Sequence, residues 1–439
     1  MMPTPDPASL TMPVCALLIA LVPLVLAGLV LINTGFGRAR GAAYAMLSSL
    51  TAMAIAAAVY CLCGFSWEGF TGLPASIFSL GGKPWDWIAK EPFFLRGLTS
   101  SPSPAVLAVF LQLFLVSFAA LIPVSTGADR WKLRSISIST ALFAGWTYPL
   151  FGHWVWGGGW LAQLGRNFGL GNGFLDPGGA GTVQVLGGLS ALSLAWTLGA
   201  RRGKYRADRP PAAIPGHNMV HVLFGCVLIV PGWIGLNAAG AILFAGAATS
   251  AIALIAVNTV LSASASYLVA VLVTRVRFGK PDASLCANGW VGGLVASSAI
   301  CCFVTPIVAM MVGLVAGALV MAAAEVLEVR LKVDDPGGAI SVHAVAGIWG
   351  LLAVGIYAHI RTAPGSFLSG GQRVSGQLLA QVVGIATLVG IMLPMIHGLN
   401  WILNRVDPQR VTRHGEQMGM DMHELGGGAY PEFVMHSED

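Results

Sequence analysis

The chain has 439 residues, of which 56% are hydrophobic and 10% charged, with a mean hydropathy of +0.75 and a formal net charge of +5. Soluble domains carry about 25% charged residues, so a soluble fold is excluded. The excess of Lys and Arg lies in short loops between apolar runs, which argues against nucleic acid as a partner and for an all-α polytopic protein of the lipid bilayer.

In chain order, residues 1–13 (MMPTPDPASLTMP) lack the positive stretch of a cleaved signal, so the first span is expected to be retained. Apolar runs follow at 12–32, 42–65, 104–124, 136–156, 178–198, 220–236, 248–273, 284–302, 306–327, 339–358 and 377–403. These predict eleven transmembrane helices, each long enough or nearly so to cross a bilayer. Pro23, Pro149 and Pro394 fall inside spans and predict kinks. The outer loop 66–103, with Trp67, Trp85, Trp87, Phe93 and Phe94, is longer than a connector needs. It is expected either to cap an outer vestibule or to lie on the membrane interface.

Alternate loops collect 18 of the 24 Lys and Arg residues. The positive-inside rule therefore puts the N-terminus outside and the C-terminus in the cytoplasm. Residues 1–406 form the membrane domain and 407–439 a polar cytoplasmic tail. The seven cysteines lie in or beside apolar runs and read as small core residues, with no disulfide framework and no zinc spacing. No metal, cofactor or catalytic constellation is indicated, so the chain is not expected to be an enzyme.

The strongest internal signal is a repeat. Residues 176–184 read DPGGAGTVQ and residues 335–343 read DPGGAISVH. Each copy opens an apolar helix, with Asp176 or Asp335 suited to the N-cap and Pro to the first helical position. Gln184 and His343 then lie roughly 12 Å along their helices, near the midplane of a bilayer about 30 Å thick. Five spans separate the copies, so the second copy is inverted. The chain is read as two inverted five-helix repeats, about 9–200 and 215–360, plus a final helix. Inverted repeats place the functional site at their interface, near the midplane. A polar residue inside a membrane helix can also serve only to bond a neighbouring helix, but delivery of two to one depth favours a pair lining a pore. His153, His217 and His221 lie near interfaces and read as hydrogen-bonded fittings. His414, His423 and His436 lie in the tail.

Several longer stretches carry a family resemblance. GHWVWGGGW (152–160), GWIGLNA (232–238), DDPGGAISVHAVAGIWG (334–350) and GMDMHELGGGAYP (419–431), with the Asp176 motif, resemble the ammonium transporter, methylammonium permease and Rhesus family over nearly the whole chain. The resemblance implies an eleven-helix protomer of the bacterial inner membrane, a homotrimer, and a narrow hydrophobic pore in each protomer for ammonium or ammonia. It implies that Trp156 and Asp176 belong to an outer recruitment site, although an interfacial Trp and a helix-capping Asp would look the same. The family's two pore histidines align with Gln184 and His343, its two gate phenylalanines with Leu115 and Leu236, and its recruiting serine with Gly240. A neutral Gln184 can bond His343 but cannot titrate, so a His–His proton relay is not available. In the family the tail packs under the trimer and meets a PII-type regulatory protein. Gly419, Asp421, His423, Gly426, Ala429 and Tyr430 match that segment, and an ordinary solvated tail is the alternative. The function expected is ammonium or ammonia transport. The alternatives are an ammonium sensor with little transport, or a channel for another small neutral solute.

Overall fold

The structure is a computed structural model that describes residues 7–70, 75–96, 98, 103–207, 209–359 and 374–430. The loop cations Arg361 and Arg373, and His436 with the end of the tail, lie outside the described residues. Ten of the described helices are long and apolar enough to cross a membrane: Thr11–Phe36, Ala39–Glu68, Pro104–Thr126, Ala180–Leu198, Met219–Ala245, Thr249–Phe278, Ala283–Ile300, Pro306–Arg330, Ile340–Tyr357 and Gln377–Val406. The expected fourth span is continuous helix over 133–155 but is not among the ten. Ser135, Ser137, Ser139, Thr140 and Thr147 hold its hydropathy down. Spans are numbered below by the eleven-helix order, with 133–155 as the fourth.

Each expected proline kink has a local cause. The first span breaks between Leu21 and Pro23. The fourth widens into a π-helical turn at Phe143–Thr147, just before Pro149, and the eleventh does so at Leu388–Met392, just before Pro394. Proline lacks an N–H and its ring crowds the carbonyl four residues earlier, so the preceding turn opens.

Helices that occupy equivalent places in the two repeats meet each other. The first and sixth spans cross at Gly28 and Gly225, where an added Cβ at Gly225 would lie 2.5 Å from the Gly28 carbonyl. The fifth and tenth cross at Gly188 and Gly347, where a Cβ at Gly188 would lie 2.5 Å from the Ala344 nitrogen. Such approaches are open only to residues without side chains, the usual means of membrane-helix packing.

The described part of the loop between the second and third spans holds a β-hairpin. Ser76–Leu80 and Lys83–Ile88 pair antiparallel across Gly81 and Gly82, both with positive φ. Its indoles pack on the outer end of the fourth span, Trp87 against Trp154 at 4.8 Å and Trp85 against Trp160 at 5.0 Å. His153 bonds the Glu68 carbonyl at 2.7 Å and Asp86 at 3.0 Å. The described part of the tail is anchored through buried residues such as Gly415, Glu416 and Asp421, while 425–429 and other positions stay exposed. Asp421 accepts from the Tyr44 N–H at 2.8 Å, Glu416 accepts from Arg202 and Arg410, and Tyr430 meets His217 at 3.2 Å. All seven cysteines are free thiols, and Cys15, Cys226, Cys286, Cys301 and Cys302 are buried.

Candidate functional site

The repeated motif builds the site, but its helices begin later than Asp-Pro. Gly179 and Gly338 take left-handed backbone, with φ of +78° and +70°, and the chain enters π-helical turns at Ala180–Val185 and Ile340–Val345. The Gly179 carbonyl accepts from both Val183 and Gln184. Each Asp therefore caps from a distance, across the turn. Asp176 Oδ2 accepts from the Gly181 N–H at 3.0 Å, the Thr182 N–H at 2.8 Å and the Thr182 hydroxyl at 2.9 Å. Asp335 Oδ2 accepts from the Ile340 N–H at 2.7 Å, and its Oδ1 from the Thr126 hydroxyl at 2.7 Å. Burial raises both carboxyls above the usual range, against the pull of these bonds. Gln184 and His343 lie about one turn into their helices, not the two or more expected from Asp-Pro as the first turn.

The two side chains meet. His343 Nδ1 lies 2.7 Å from Gln184 Oε1, and both residues are buried, at 4% and 0% exposure. An amide oxygen only accepts, so Nδ1 carries the proton and Nε2 is left as an acceptor. Gln184 Nε2 is a buried donor with no partner among the described residues. Phe118 meets the imidazole edge-on at 6.3 Å and Trp233 at 5.3 Å. Gly188 and Gly347 make the contact possible, because they bring the two helices to backbone distance next to the pair.

On the Trp156 side lies a depression of about 330 Å³, lined by Gly69, Phe70, Ala108, Trp156, Gly157 and Phe244 among others. Trp156 donates from Nε1 to the Asp176 carbonyl at 2.8 Å. Phe244 stacks on it at 4.6 Å with planes 13° apart, which leaves no room for an ion between the rings. Phe70 adds a third ring, 6.1 Å from Phe244. Sequence reasoning missed Phe244 and Phe70. Phe244 stands one turn beyond Gly240 on the sixth span, and that spacing was the available signal.

The remaining expected site residues do not line this depression. Leu115 and Leu236 are buried in the core at 2% and 0% exposure. Leu115 stands three residues from Phe118, which meets His343, and Leu236 three residues from Trp233, which packs on Phe118. Gly240 fits backbone packing, since a Cβ there would collide with the Pro177 carbonyl.

At the other copy a depression of about 420 Å³ is lined by Arg201, Lys204, Asp282, Glu328, Asp334 and Asp335 with apolar neighbours. Burial opposes charge on Asp334, but Arg201, at 2.9 Å and 3.0 Å, and Arg130 outweigh it and hold the carboxyl at about 2. Burial lowers the Arg130 guanidinium to about 10, despite Asp334. The described residues hold no group of three or more metal-binding side chains.

The family model described as "Ammonium Transporter Family" matches residues 11–430. The chain is 34% identical over 422 residues to "Ammonium transporter Amt2" of Archaeoglobus fulgidus, covering 93% of this chain and 85% of that one. It is 28% identical to "Ammonium transporter" of Bacillus subtilis, covering 95% and 97%. Among solved structures it resembles "Sensor Amt Protein", with a TM-score of 0.83, 28% identity and coverage of 94% and 98%. It also shares the fold of Candida albicans Mep2, with a TM-score of 0.80 at 22% identity and coverage of 96% and 90%.

Proposed function

We propose, from the premise that this chain belongs to the ammonium transporter family, that it takes ammonium at the Trp156 depression and passes neutral ammonia between Gln184 and His343. The protein is a multi-pass membrane transporter and not an enzyme. The finer reading has the N-terminus outside a bacterial inner membrane, 133–155 crossing as the fourth of eleven spans, and inverted repeats meeting at the pair. Homotrimers and a PII-type partner at the anchored tail complete it.

One observation carries the neutral route. The pair presents a bare amide donor, Gln184 Nε2, beside an imidazole whose Nε2 accepts. Ammonia has a lone pair for the first and N–H groups for the second. Ammonium has no lone pair, so it opposes an N–H to the amide and gains nothing there. A second histidine could exchange its proton. An amide cannot, so no charge is relayed between these side chains.

The test is an ammonium jump on proteoliposomes adsorbed to a solid-supported membrane, with labelled uptake measured in parallel. Uptake in the parent with no sustained current is expected, with uptake lost in His343→Ala and current gained in Gln184→His. A sustained parent current that His343→Ala abolishes would show that charge crosses despite the amide. A second reading, an ammonium sensor, draws on the likeness to "Sensor Amt Protein". Absence of uptake in the parent alongside saturable ammonium binding would select it.

A further inference from the structure

A carboxylate inside a membrane protein is costly and is normally paired or functional. Glu68 ends the second span at 0% exposure, and its carboxylate has the Tyr60 hydroxyl of its own helix as a neighbour but no hydrogen bond to any other segment among the described residues. Other buried polar atoms without partners lie in the same part of the fold. They are Gln112 Nε2 on the third span and Asp176 Oδ1 on the turn before the fifth. Tyr148 of the fourth span ties the group together by donating to Gln112 Oε1 at 2.5 Å. Gly152 lets the fourth-span backbone close on Glu68, since a Cβ there would strike the carboxylate. Partnerless buried polar atoms are rare and each asks for a reason. A cluster on four segments is polar enough to hold water.

This cluster adjoins the outer depression. Gly69 follows Glu68 in the chain, and Gly157 packs onto the Glu68 backbone carbonyl; both line the depression. We propose that Glu68 accepts the proton that ammonium sheds before ammonia enters the pore, an inference that rests on the neutral route above. Asp176 is the rival acceptor, but its Oδ2 is spent on three capping bonds that ionised oxygen makes best. Glu68 makes no capping bonds and has only the Tyr60 hydroxyl beside it among the described residues. In the step, one N–H bond of ammonium breaks and its electron pair stays on nitrogen. The proton passes through water to a Glu68 oxygen, forming O–H. Glu68 then returns that proton to outer water. Each ammonium taken up sends one ammonia inward and leaves one proton outside, with no redox change.

The ionisable groups that face this site are Tyr60 on its own helix, Tyr148 and His153 on the fourth span, and Asp176 on the turn. Glu91 stands across Gly69, and Asp86 lies behind His153.

The experiment measures initial uptake of labelled ammonium into proteoliposomes of the full chain, at fixed total ammonium and varied external pH below the ammonium pKa. The parent is expected to show nearly flat uptake, because it deprotonates the cation itself. Glu68→Gln is expected to rise about tenfold per pH unit, following free ammonia alone, and Glu68→Asp to return towards the flat profile. As a check on the parent itself, a hydrophobic carbodiimide should label Glu68 and steepen the profile, with ammonium protecting it. A flat profile in Glu68→Gln, a free-ammonia profile in the parent, or no labelling of Glu68 overturns the proposal while leaving transport intact. No uptake by the parent at any pH removes the transport reading itself, and this proposal with it.

Discussion

The first and second copies of the DPGG turn, labelled outer and inner after the proposed orientation, share five residues and a cap, yet they are anchored by different chemistry. Before Asp176 stands Leu175, whose N–H and carbonyl are both held by the neutral amide of Gln381, each at 2.9 Å. Before Asp335 stands Asp334, held by Arg201 and Arg130 in a buried ion network. The outer Asp leaves Oδ1 bare, whereas the inner Asp bonds Thr126. The outer depression is ringed by Trp156, Phe244 and Phe70, and the inner one by charged groups. The same backbone turn thus stands beside a depression lined by aromatic rings in one copy and beside one lined by ion pairs in the other. The turn supplies geometry, and the neighbouring helices supply chemistry.

The sharpest way to break this comparison is Asp334→Asn. Removing one partner from a buried pair costs about 3–5 kcal/mol, read as a fall in thermal unfolding temperature of the detergent-solubilised protein. Its pH dependence should differ too. The Asp334 carboxyl is depressed from an unfolded value near 4 to about 2. Its stabilisation is therefore present above pH ~4 and is lost as pH falls towards ~2. The cost of Asp334→Asn should therefore shrink as pH falls towards ~2, whereas Gln381→Ala, its counterpart at the other turn, keeps Asp334 and should cost about 1–3 kcal/mol at every pH. A cost of Asp334→Asn that does not change with pH would end the distinction.

A smaller effect is expected from Gly188→Val. Forcing a side chain between the fifth and tenth spans costs about 1–3 kcal/mol. It should also part Gln184 from His343, so uptake should fall more than stability does. Thr126→Ala makes the inner cap resemble the outer one, with a loss of about 1 kcal/mol. Unfolding that is unchanged within error would mean that the second bond to Asp335 adds nothing. The smallest effect falls to Phe244→Ala. Loss of one stacked ring and one cation-facing surface is worth about 0.5–1.5 kcal/mol, seen as a several-fold rise in the ammonium concentration for half-maximal uptake. An unchanged value would leave recruitment to Trp156 and Phe70.

Much was legible in the chain because membrane physics is strict. A run of apolar residues long enough to cross has few alternatives to a helix, so ten of the described spans stand close to their apolar runs. The repeated motif, an odd number of spans apart, was enough to expect Gln184 and His343 to meet. It was not enough to find where their helices begin. Asp-Pro reads as a cap and first turn, but the positive φ of Gly179 and Gly338 delays each helix, and the cap then acts across a turn. Alignment placed leucines at Leu115 and Leu236 and drew the conclusion that rings had been lost. Phe118, three residues beyond Leu115 on the same helix, meets His343 edge-on, and Trp233 packs against Phe118.

Composition and the repeated motif by themselves determined the membrane class, the approximate apolar spans and the expectation that Gln184 and His343 meet. Each depends on local hydrophobicity or on a repeat that is visible along the chain. Only the tertiary structure decided that Phe244 stacks on Trp156, that Gly240 gives room to Pro177, that Gln381 and Arg201 anchor the two turns, and that Glu68 is buried with no hydrogen bond to another segment among the described residues. Those facts depend on which helix faces which. That is settled by backbone approach at a few glycines and by the matching of polar atoms between segments far apart in sequence.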